Sequence, residues 1–262
     1  MQPFQVLEAP EHWRTIDFIS DLHLQDKEVD TFQAWQRFMQ HSSADAVFIL
    51  GDLFEVWVGD DAVQSNAFLK KCGAVLKEAA THMHVAFMRG NRDFLVGSDF
   101  LQSCQVQDLS DPMVLMFGGQ RWLLSHGDEG CLADHDYQEF RRMVRTPDWQ
   151  GHFLARPLQE RQAIARNLRE QSKAHKANAA KVYADVDSTW TLDALTQSHC
   201  SCLLHGHTHK PADHALGMQA ELVRRVLSDW DISAAKPRAE VLRWHVSGEV
   251  ERLSALNCAA GF

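Results

Sequence analysis

The six cysteines of this chain, at positions 72, 104, 131, 200, 202 and 258, contain no CxxC pair. That absence excludes the common dithiol and zinc-ribbon motifs and makes buried, reduced thiols the expectation. No run approaches the roughly 18 apolar residues of a membrane span, and the opening MQPFQVLEAPEHW has no basic stretch followed by an apolar one. The chain is therefore expected in the cytoplasm. Positive charge is also scarce: the net charge of −9 argues against nonspecific nucleic-acid binding by the surface as a whole, so no nucleic-acid partner is expected. Internal repeats and low-complexity tracts are missing too. What remains, 262 residues with 45% hydrophobic content, can bury a full core, as one large domain or as one domain carrying an insertion.

The negative average hides a local reversal. Between Arg141 and Lys181 stand ten Arg/Lys residues against three acidic ones, Asp148, Glu160 and Glu170. An anionic partner is expected to meet that segment.

Along the chain, a short apolar run repeatedly ends in a sharp polar cluster. TIDFIS runs into Asp21-Leu22-His23, AVFIL into Gly51-Asp52, VAFM into Arg89-Gly90-Asn91, RWLLS into His126-Gly127-Asp128, and CLLH into Gly206-His207-Thr208-His209. With helical patterns between several of them (TFQAWQRFMQ, NAFLKKCGAVLKEAA), these runs read as buried strands of a layered α/β sheet. Such sheets place ligands just beyond their strand C-termini. Residues 131–195 break the rhythm: Tyr137, Phe140, Met143 and Val144, then Ile164 and Leu168, recur at helical spacing, which predicts a helical cap insertion. LVRRVLSDW, EVLRWHV and EVERLSAL return to strand patterns and are expected to extend the sheet layer that follows His209.

Asp21, His23, Asp52, Asn91, His126, His207 and His209 all fall at these strand ends. Carboxylate, imidazole and amide oxygen suit Mn²⁺, Fe²⁺ or Zn²⁺, and the lack of thiolate argues against a structural zinc. One such residue is ordinary; seven at five strand ends form a constellation. The ordered set D-x-H, G-D, G-N, H-G and G-H-x-H resembles the calcineurin-like metallophosphoesterases. The resemblance implies an α/β class fold, a layered α/β/β/α sandwich carrying the cap, with the whole chain 1–262 as its domain. It also implies one metal on Asp21, His23, Asp52 and His209 and a second on Asp52, Asn91, His126 and His207. Two cations about 3.5–4 Å apart would then activate water for an in-line phosphoryl displacement.

One residue departs from the general pattern. In MRGNRDFLVG, residues 88–97, Gly90-Asn91 is followed by Arg92 where relatives carry His. Arginine stays protonated and cannot give a proton to a leaving alkoxide, but it holds phosphate oxygens bidentately. That suits a phosphoanhydride, whose leaving phosphate has a second pKa of about 6. An Arg92 that only pairs with Asp93 is the structural alternative.

GDLFEVWVGDD (51–61), GNRDFL (90–95), HGDEGCLADHDYQEFR (126–141) and HGHTHKPADH (205–214) together closely resemble the UDP-2,3-diacylglucosamine pyrophosphohydrolases of lipid A biosynthesis. The resemblance implies a hydrolase with two Mn²⁺ per chain that releases UMP and 2,3-diacylglucosamine 1-phosphate. It implies peripheral contact with the cytoplasmic face of the inner membrane, and a monomer is expected. Asp52, Asn91 and Arg92 would be catalytic; Asn91, Arg92, Asp134 and His207 would contact the glycolipid nucleotide, together with Ser172, Asn178 and Lys181. The last three sit in QSKAHKANAAK, which departs from the family's Ser-x3-Asn-x2-Lys. Asn178 and Lys181 keep half of it with Ala174 in place of Ser, whereas anchoring on Ser172 puts Lys176 and Ala179 at the other places.

A cap with Phe153, Leu154, Leu158, Ile164 and Leu168 beside Arg156, Arg161, Arg166 and Arg169 would offer an apolar slot and cations, to substrate or to anionic lipid. An ordinary amphipathic pair with a solvated basic face is the alternative. Trp57 and Trp230 either line the site or pack. The competing functions are a soluble nucleotide pyrophosphatase with a non-lipid substrate and a binding scaffold that has lost its metals.

Overall fold

A computed structural model describes residues 4–178, 185–216 and 222–257. One sheet comprises β2 (Thr15–Ile19), β3 (Ala46–Leu50), β4 (His84–Met88), β5 (Gln107–Leu109), β11 (Glu240–His245) and β12 (Val250–Ser254). Its order is β12-β11-β2-β3-β4-β5; β2 to β5 run parallel, and β11 lies antiparallel to both β2 and β12. The second sheet comprises β1 (Gln5–Glu8), β6 (Met113–Phe117), β7 (Gln120–Ser125), β8 (Cys202–His205), β9 (Ala212–Leu216) and β10 (Leu222–Val226), in the order β1-β6-β7-β8-β10-β9.

Strand periodicity builds the layers. Along β3, Ala46, Phe48 and Leu50 point between the sheets, while Val47 and Ile49 point to the opposite face. The inter-sheet core holds Phe18, Phe48, Trp122, Leu124, Leu204 and Trp244. Trp122 of β7 stacks on Trp244 of β11 at 3.8 Å between ring centroids, joining the two sheets. On the outer face of the first sheet lie α1 (Val29–His41) and α3 (Ala67–Ala79), whose Trp35, Phe38, Leu69 and Leu76 cover Ile49, Val85 and Phe87. The short helices α2 (Ala62–Ser65) and α4 (Ser98–Ser103) flank them. The four-layer α/β/β/α order expected from sequence is the order of the fold.

Two expectations need correction. The C-terminal strands do not all extend the β8 sheet: β10, with β9, joins β8, but β11 and β12 cross to the other sheet, where β11 pairs with β2. Alternating hydrophobicity says that a strand is half or fully buried, and it carries nothing about which open edge accepts it. The helical segment 131–195 is also not all cap. The cap is α5 (His135–Val144), α6 (Pro147–Leu154) and α7 (Leu158–Asn178). The next helix, α8 (Ser188–Ser198), packs Ala194 and Leu195 on Val114, Leu123 and Leu203 and forms the fourth layer of the sandwich. Cys72, Cys104, Cys131, Cys200 and Cys202 are buried and none joins a disulfide among the described residues; Cys258 lies outside them. No helix among the described residues is long and apolar enough to cross a membrane.

Under the helix layer, fully buried Asp17 of β2 accepts from Nε and Nη2 of Arg243 on β11, at 2.7 and 2.8 Å, and from Ser42 Oγ at 2.9 Å. Removing one partner of such a pair costs about 3–5 kcal/mol. Asp17→Ala is expected to lower unfolding stability by about that amount in a denaturant titration, with the metal content of the folded fraction unchanged.

Candidate metal centre

The C-terminal ends of β2, β3 and β4 from one sheet converge on those of β7 and β8 from the other, so the two sheets pool their strand-end residues. Asp21 and His23 follow β2, Asp52 follows β3, Asn91 follows β4, His126 follows β7, and His207 and His209 follow β8. Five of the seven sit in the left-handed region: Asp21 (φ 57°), His23 (φ 49°), Asp52 (φ 53°), His207 (φ 65°) and His209 (φ 53°). Such a φ is uncommon outside glycine and costs on the order of 1–3 kcal/mol per residue. It breaks each strand abruptly and swings the side chain over the sheet end. Gly90 serves the same crowding, since a Cβ there would collide with the Asp52 carboxylate and backbone.

The side chains meet in two groups. Asp21, His23 and His209 present ligand atoms within 4.8 Å of one another, and so do Asp21, Asp52 and His126. His209 Nε2 lies 3.3 Å from Asp21 Oδ1 and 3.3 Å from His23 Nε2. Asp52 lies between the groups, with Oδ2 3.9 Å from His23 Nδ1 and Oδ1 3.7 Å from His126 Nε2. At the far side, Asn91 Oδ1 lies 3.0 Å from His126 Nε2 and 2.8 Å from His207 Nδ1. The Leu50 carbonyl is 2.9 Å from His126 Nδ1, which places that nitrogen's proton and leaves the Nε2 lone pair facing the cluster.

These residues fit divalent cations. Asp21 Oδ1 is buried without a hydrogen-bond partner. Asn91, His126 and His207 aim three lone pairs at one region, an arrangement that either an overturned Asn91 amide or a shared cation would satisfy. Burial pushes the Asp52 carboxyl up to about 7; His126 opposes the shift, while Asp93 and Asp21 add to it. Burial opposes ionisation of Asp21 as well, yet the His209 imidazole 3.3 Å away and, while no cation is bound, the positive charge that the surrounding carboxylates keep on His126 hold it well below the usual carboxylate range. Burial lowers His23 and His207 to about 3, keeping both neutral and able to bind a metal. Oxygen and nitrogen donors with no thiolate suit a divalent first-row ion.

Residues that the sequence reading passed over hold the ligand loops. Asp93 accepts from the backbone N–H groups of Gly90 (2.8 Å), Phe54 (3.2 Å) and Asp52 (3.3 Å), pinning the β4 loop to the β3 loop. Arg92 therefore does not pair with Asp93: its backbone N–H donates to Asp52 Oδ1 at 2.7 Å, and its Nε stands 3.8 Å from Asp52 Oδ2. Buried Asp128 receives Tyr137 Oη and Arg141 Nε, and the Tyr137 ring lies over that of His207 at 6.0 Å. Asp128 lies in the stretch HGDEG (126–130), and no local signal marks it as a support.

Beside the candidate metal ligands opens a cavity of about 470 Å³ between sandwich and cap. Asn91, Arg92, Asp134 and His207 line it. Its walls are Phe94, Phe140, Trp149, Phe153 and Leu168. Trp57 touches this cavity while packing on Phe54 and Phe100, and Trp230 packs on Phe38 in the core. Ser172 and Asn178 fall on α7 with side chains outside the described set, and Lys181 lies outside the described residues. Arg161 is not the phosphate-facing cation expected of it. It is 3% exposed and is consumed by Asp61 and by the Val58 and Arg156 carbonyls, tying α7 to the loop after β3. Arg169 does reach the cavity, where it pairs with Glu55.

Gly90→Ala changes no ligand, yet it is expected to cost the protein its metal through the collision with Asp52. Elemental analysis after dialysis against Mn²⁺ checks this, and Asp52→Ala should show the same loss.

The calcineurin-like phosphoesterase family model matches residues 14–211. A UDP-2,3-diacylglucosamine hydrolase of Aromatoleum aromaticum is 40% identical over 88% of this chain and 93% of its own length. The enzymes of the same name from Chromobacterium violaceum and Marinobacter nauticus are 41% and 38% identical, over 82% and 86% of this chain and 90% and 96% of theirs. Among solved structures, an archaeal phosphodiesterase is 13% identical over 92% of this chain and 99% of its own, with a TM-score of 0.46. By the span of the family match and the identity to these relatives, the chain belongs to the calcineurin-like phosphoesterases, in the group of the UDP-2,3-diacylglucosamine hydrolases.

Proposed function

We propose that this chain hydrolyses the pyrophosphate bond of UDP-2,3-diacylglucosamine to UMP and 2,3-diacylglucosamine 1-phosphate (lipid X), using two Mn²⁺ on Asp21, His23, Asp52, Asn91, His126, His207 and His209. The observation that carries this reading is the two-ended cavity. Asn91, Arg92 and His207 form its polar end against the metal ligands, while Phe94, Phe140, Trp149, Phe153 and Leu168 form an apolar slot under the cap. A pyrophosphate with acyl chains attached matches both ends; a small nucleotide sugar leaves the apolar end unfilled.

When bound, the cations supply a nucleophilic water at neutral pH and stabilise charge on the phosphoryl oxygens. The chain's own residues do the rest. Asp93 fixes the loop that carries Asn91 and Arg92, and the Arg92 guanidinium stands at the polar end with Nε 3.8 Å from Asp52 Oδ2. There it clamps phosphate oxygens and stabilises the charge that develops as water attacks the α-phosphate. The leaving lipid phosphate needs no proton, so the absence of a histidine at position 92 costs nothing. Asp134, which caps α5 by accepting from Tyr137 N–H at 3.3 Å, stands at the cavity wall for the sugar, with Ser172, Asn178 and Lys181 assigned to the same substrate.

The chain 1–262 acts as one domain and as a monomer, with α5, α6 and α7 as its lid. Met143, Leu154, Arg156 and Arg166 of the cap are all exposed, a combination suited to peripheral contact with the anionic cytoplasmic face of the inner membrane.

Mn²⁺-supported release of UMP is expected from UDP-2,3-diacylglucosamine and not from UDP-N-acetylglucosamine. Asp52→Ala should abolish it. Arg92→Ala should lower kcat by about 100-fold or more, and Arg92→His should lose activity while retaining its metals. Equal turnover of the two substrates would overturn the lipid assignment and leave a soluble nucleotide pyrophosphatase.

A further inference from the structure

The two imidazoles at the Asp21 end of the centre share an arrangement. Each turns Nε2 toward the cluster and has a carboxylate from beyond the candidate ligands within 4 Å of Nδ1, and His23 Nδ1 also lies 3.9 Å from Asp52 Oδ2. His209 Nδ1 stands 3.7 Å from Asp229 Oδ2, and His23 Nδ1 stands 3.5 Å from Glu55 Oε2. Each carboxylate is in turn held by an arginine. Arg238 grips Asp229 with Nε and Nη2 at 2.9 and 2.7 Å, from the segment that precedes β11. Glu55 is held by Arg169, and Arg169 belongs to α7 of the cap. One support is thus internal to the sandwich, while the other crosses the cavity.

We infer that Glu55 is a positioning residue through which the cap acts on the metal centre: seated α7 holds Glu55 by Arg169, and Glu55 holds His23. A carboxylate behind a ligating imidazole fixes the proton on Nδ1, orients the ring and raises the basicity of Nε2. Glu55 and Arg169 are 81% and 78% buried by side-chain exposures of 19% and 22%, so the pair is shielded from full solvent screening. The ties are spaced along the helix. Arg161 fastens its first turn to the sandwich through Asp61, and Arg169, two turns on, reaches over the cavity to the loop after β3. Withdrawal of Arg169 would remove its ion pair from Glu55 and so weaken the support behind His23. By linkage, whatever the seated cap adds to metal affinity, bound metal returns to cap seating. Acyl chains that fill the slot against Leu168 would close the same loop, so a filled slot would go with a tighter metal site.

The inference rests on the ligand assignment proposed above and not on the lipid substrate, and it is tested without substrate. Metal-free wild type, Glu55→Gln, Arg169→Ala, Arg169→Lys and the Glu55→Gln/Arg169→Ala double variant are titrated with Mn²⁺ by calorimetry, after thermal melts establish that each is folded. Loss of such a support costs about 10- to 100-fold in metal affinity. Glu55→Gln is expected to lose affinity in that range at one of two sites. Arg169→Ala should lose about 10-fold at the same site, although its side chain is no ligand, and Arg169→Lys should recover part of it. The double variant should be no weaker than Glu55→Gln alone, since both changes break one chain of contacts. Hydrogen exchange gives the reciprocal readout: Mn²⁺ should slow exchange of amides 158–170 in wild type and not in Glu55→Gln. Wild-type affinity in Arg169→Ala, or additive losses in the double variant, would overturn the coupling and leave Arg169 as a wall of the cavity. A wild type that takes up no Mn²⁺ would overturn the ligand assignment and this inference with it.

Discussion

A carboxylate with almost no exposure, Asp52, stands where the strand ends of two sheets meet, and most of the architecture can be understood as compensation for it. Burial makes its charge costly, and the neighbouring Asp21 and Asp93 are carboxylates as well. The arrangement answers with imidazoles on both sides, a guanidinium at 3.8 Å, and a set of lone pairs that fits divalent cations. Nothing short of concentrated positive charge satisfies so many buried acceptors at once. Phosphoryl transfer needs that same charge, so the feature that is hardest to fold around is also the one suited to the chemistry.

Holding the cluster requires an unusual backbone. Five of the candidate ligands adopt a left-handed conformation at strand ends, where Asp and His tolerate it better than branched residues do. The scaffold stabilises them with bonds that have no other use. Asp93 pins two loops through three backbone N–H groups, Ser20 Oγ and the His207 N–H donate to Asp21 Oδ2, and the Leu50 carbonyl sets the His126 tautomer. Behind them, the Trp122–Trp244 stack and the inter-sheet core keep the two sets of strand ends in register. Strain at the site is thus balanced by close packing a few residues upstream.

The cap divides its arginines between two tasks. Arg161 is buried as a fastener, and Arg145 donates to the Gly90 carbonyl at 2.9 Å while lying over the Phe94 ring, so both bind the cap to loops that carry ligands. Arg156 and Arg166 stay exposed. The basic excess over this segment is therefore not one electrostatic patch. Part of it is structural, and only part is available to an anionic partner or membrane.

Much was legible in the residues alone. A polar cluster after an apolar run is a local signal, so all seven ligand candidates, the cavity residue Asp134 and the layered sandwich were within reach, because strand ends and ligand types are both written in short stretches. Arg92 was legible as chemistry, since a guanidinium cannot release its proton in any fold. The partition of Arg161 and Arg169, the pinning by Asp93, the assignment of α8 to the sandwich and the crossing of β11 to β2 were not. Each depends on a partner 40 to more than 200 positions away, as Asp52 and Asp93, or Asp17 and Arg243, illustrate. The sequence by itself determined which groups can bind metal and phosphate, because that is a property of the side chains. The tertiary structure decided which of them meet, which charges are spent on holding the cap, and how far each carboxylate is from water, because those depend on distances that only packing sets.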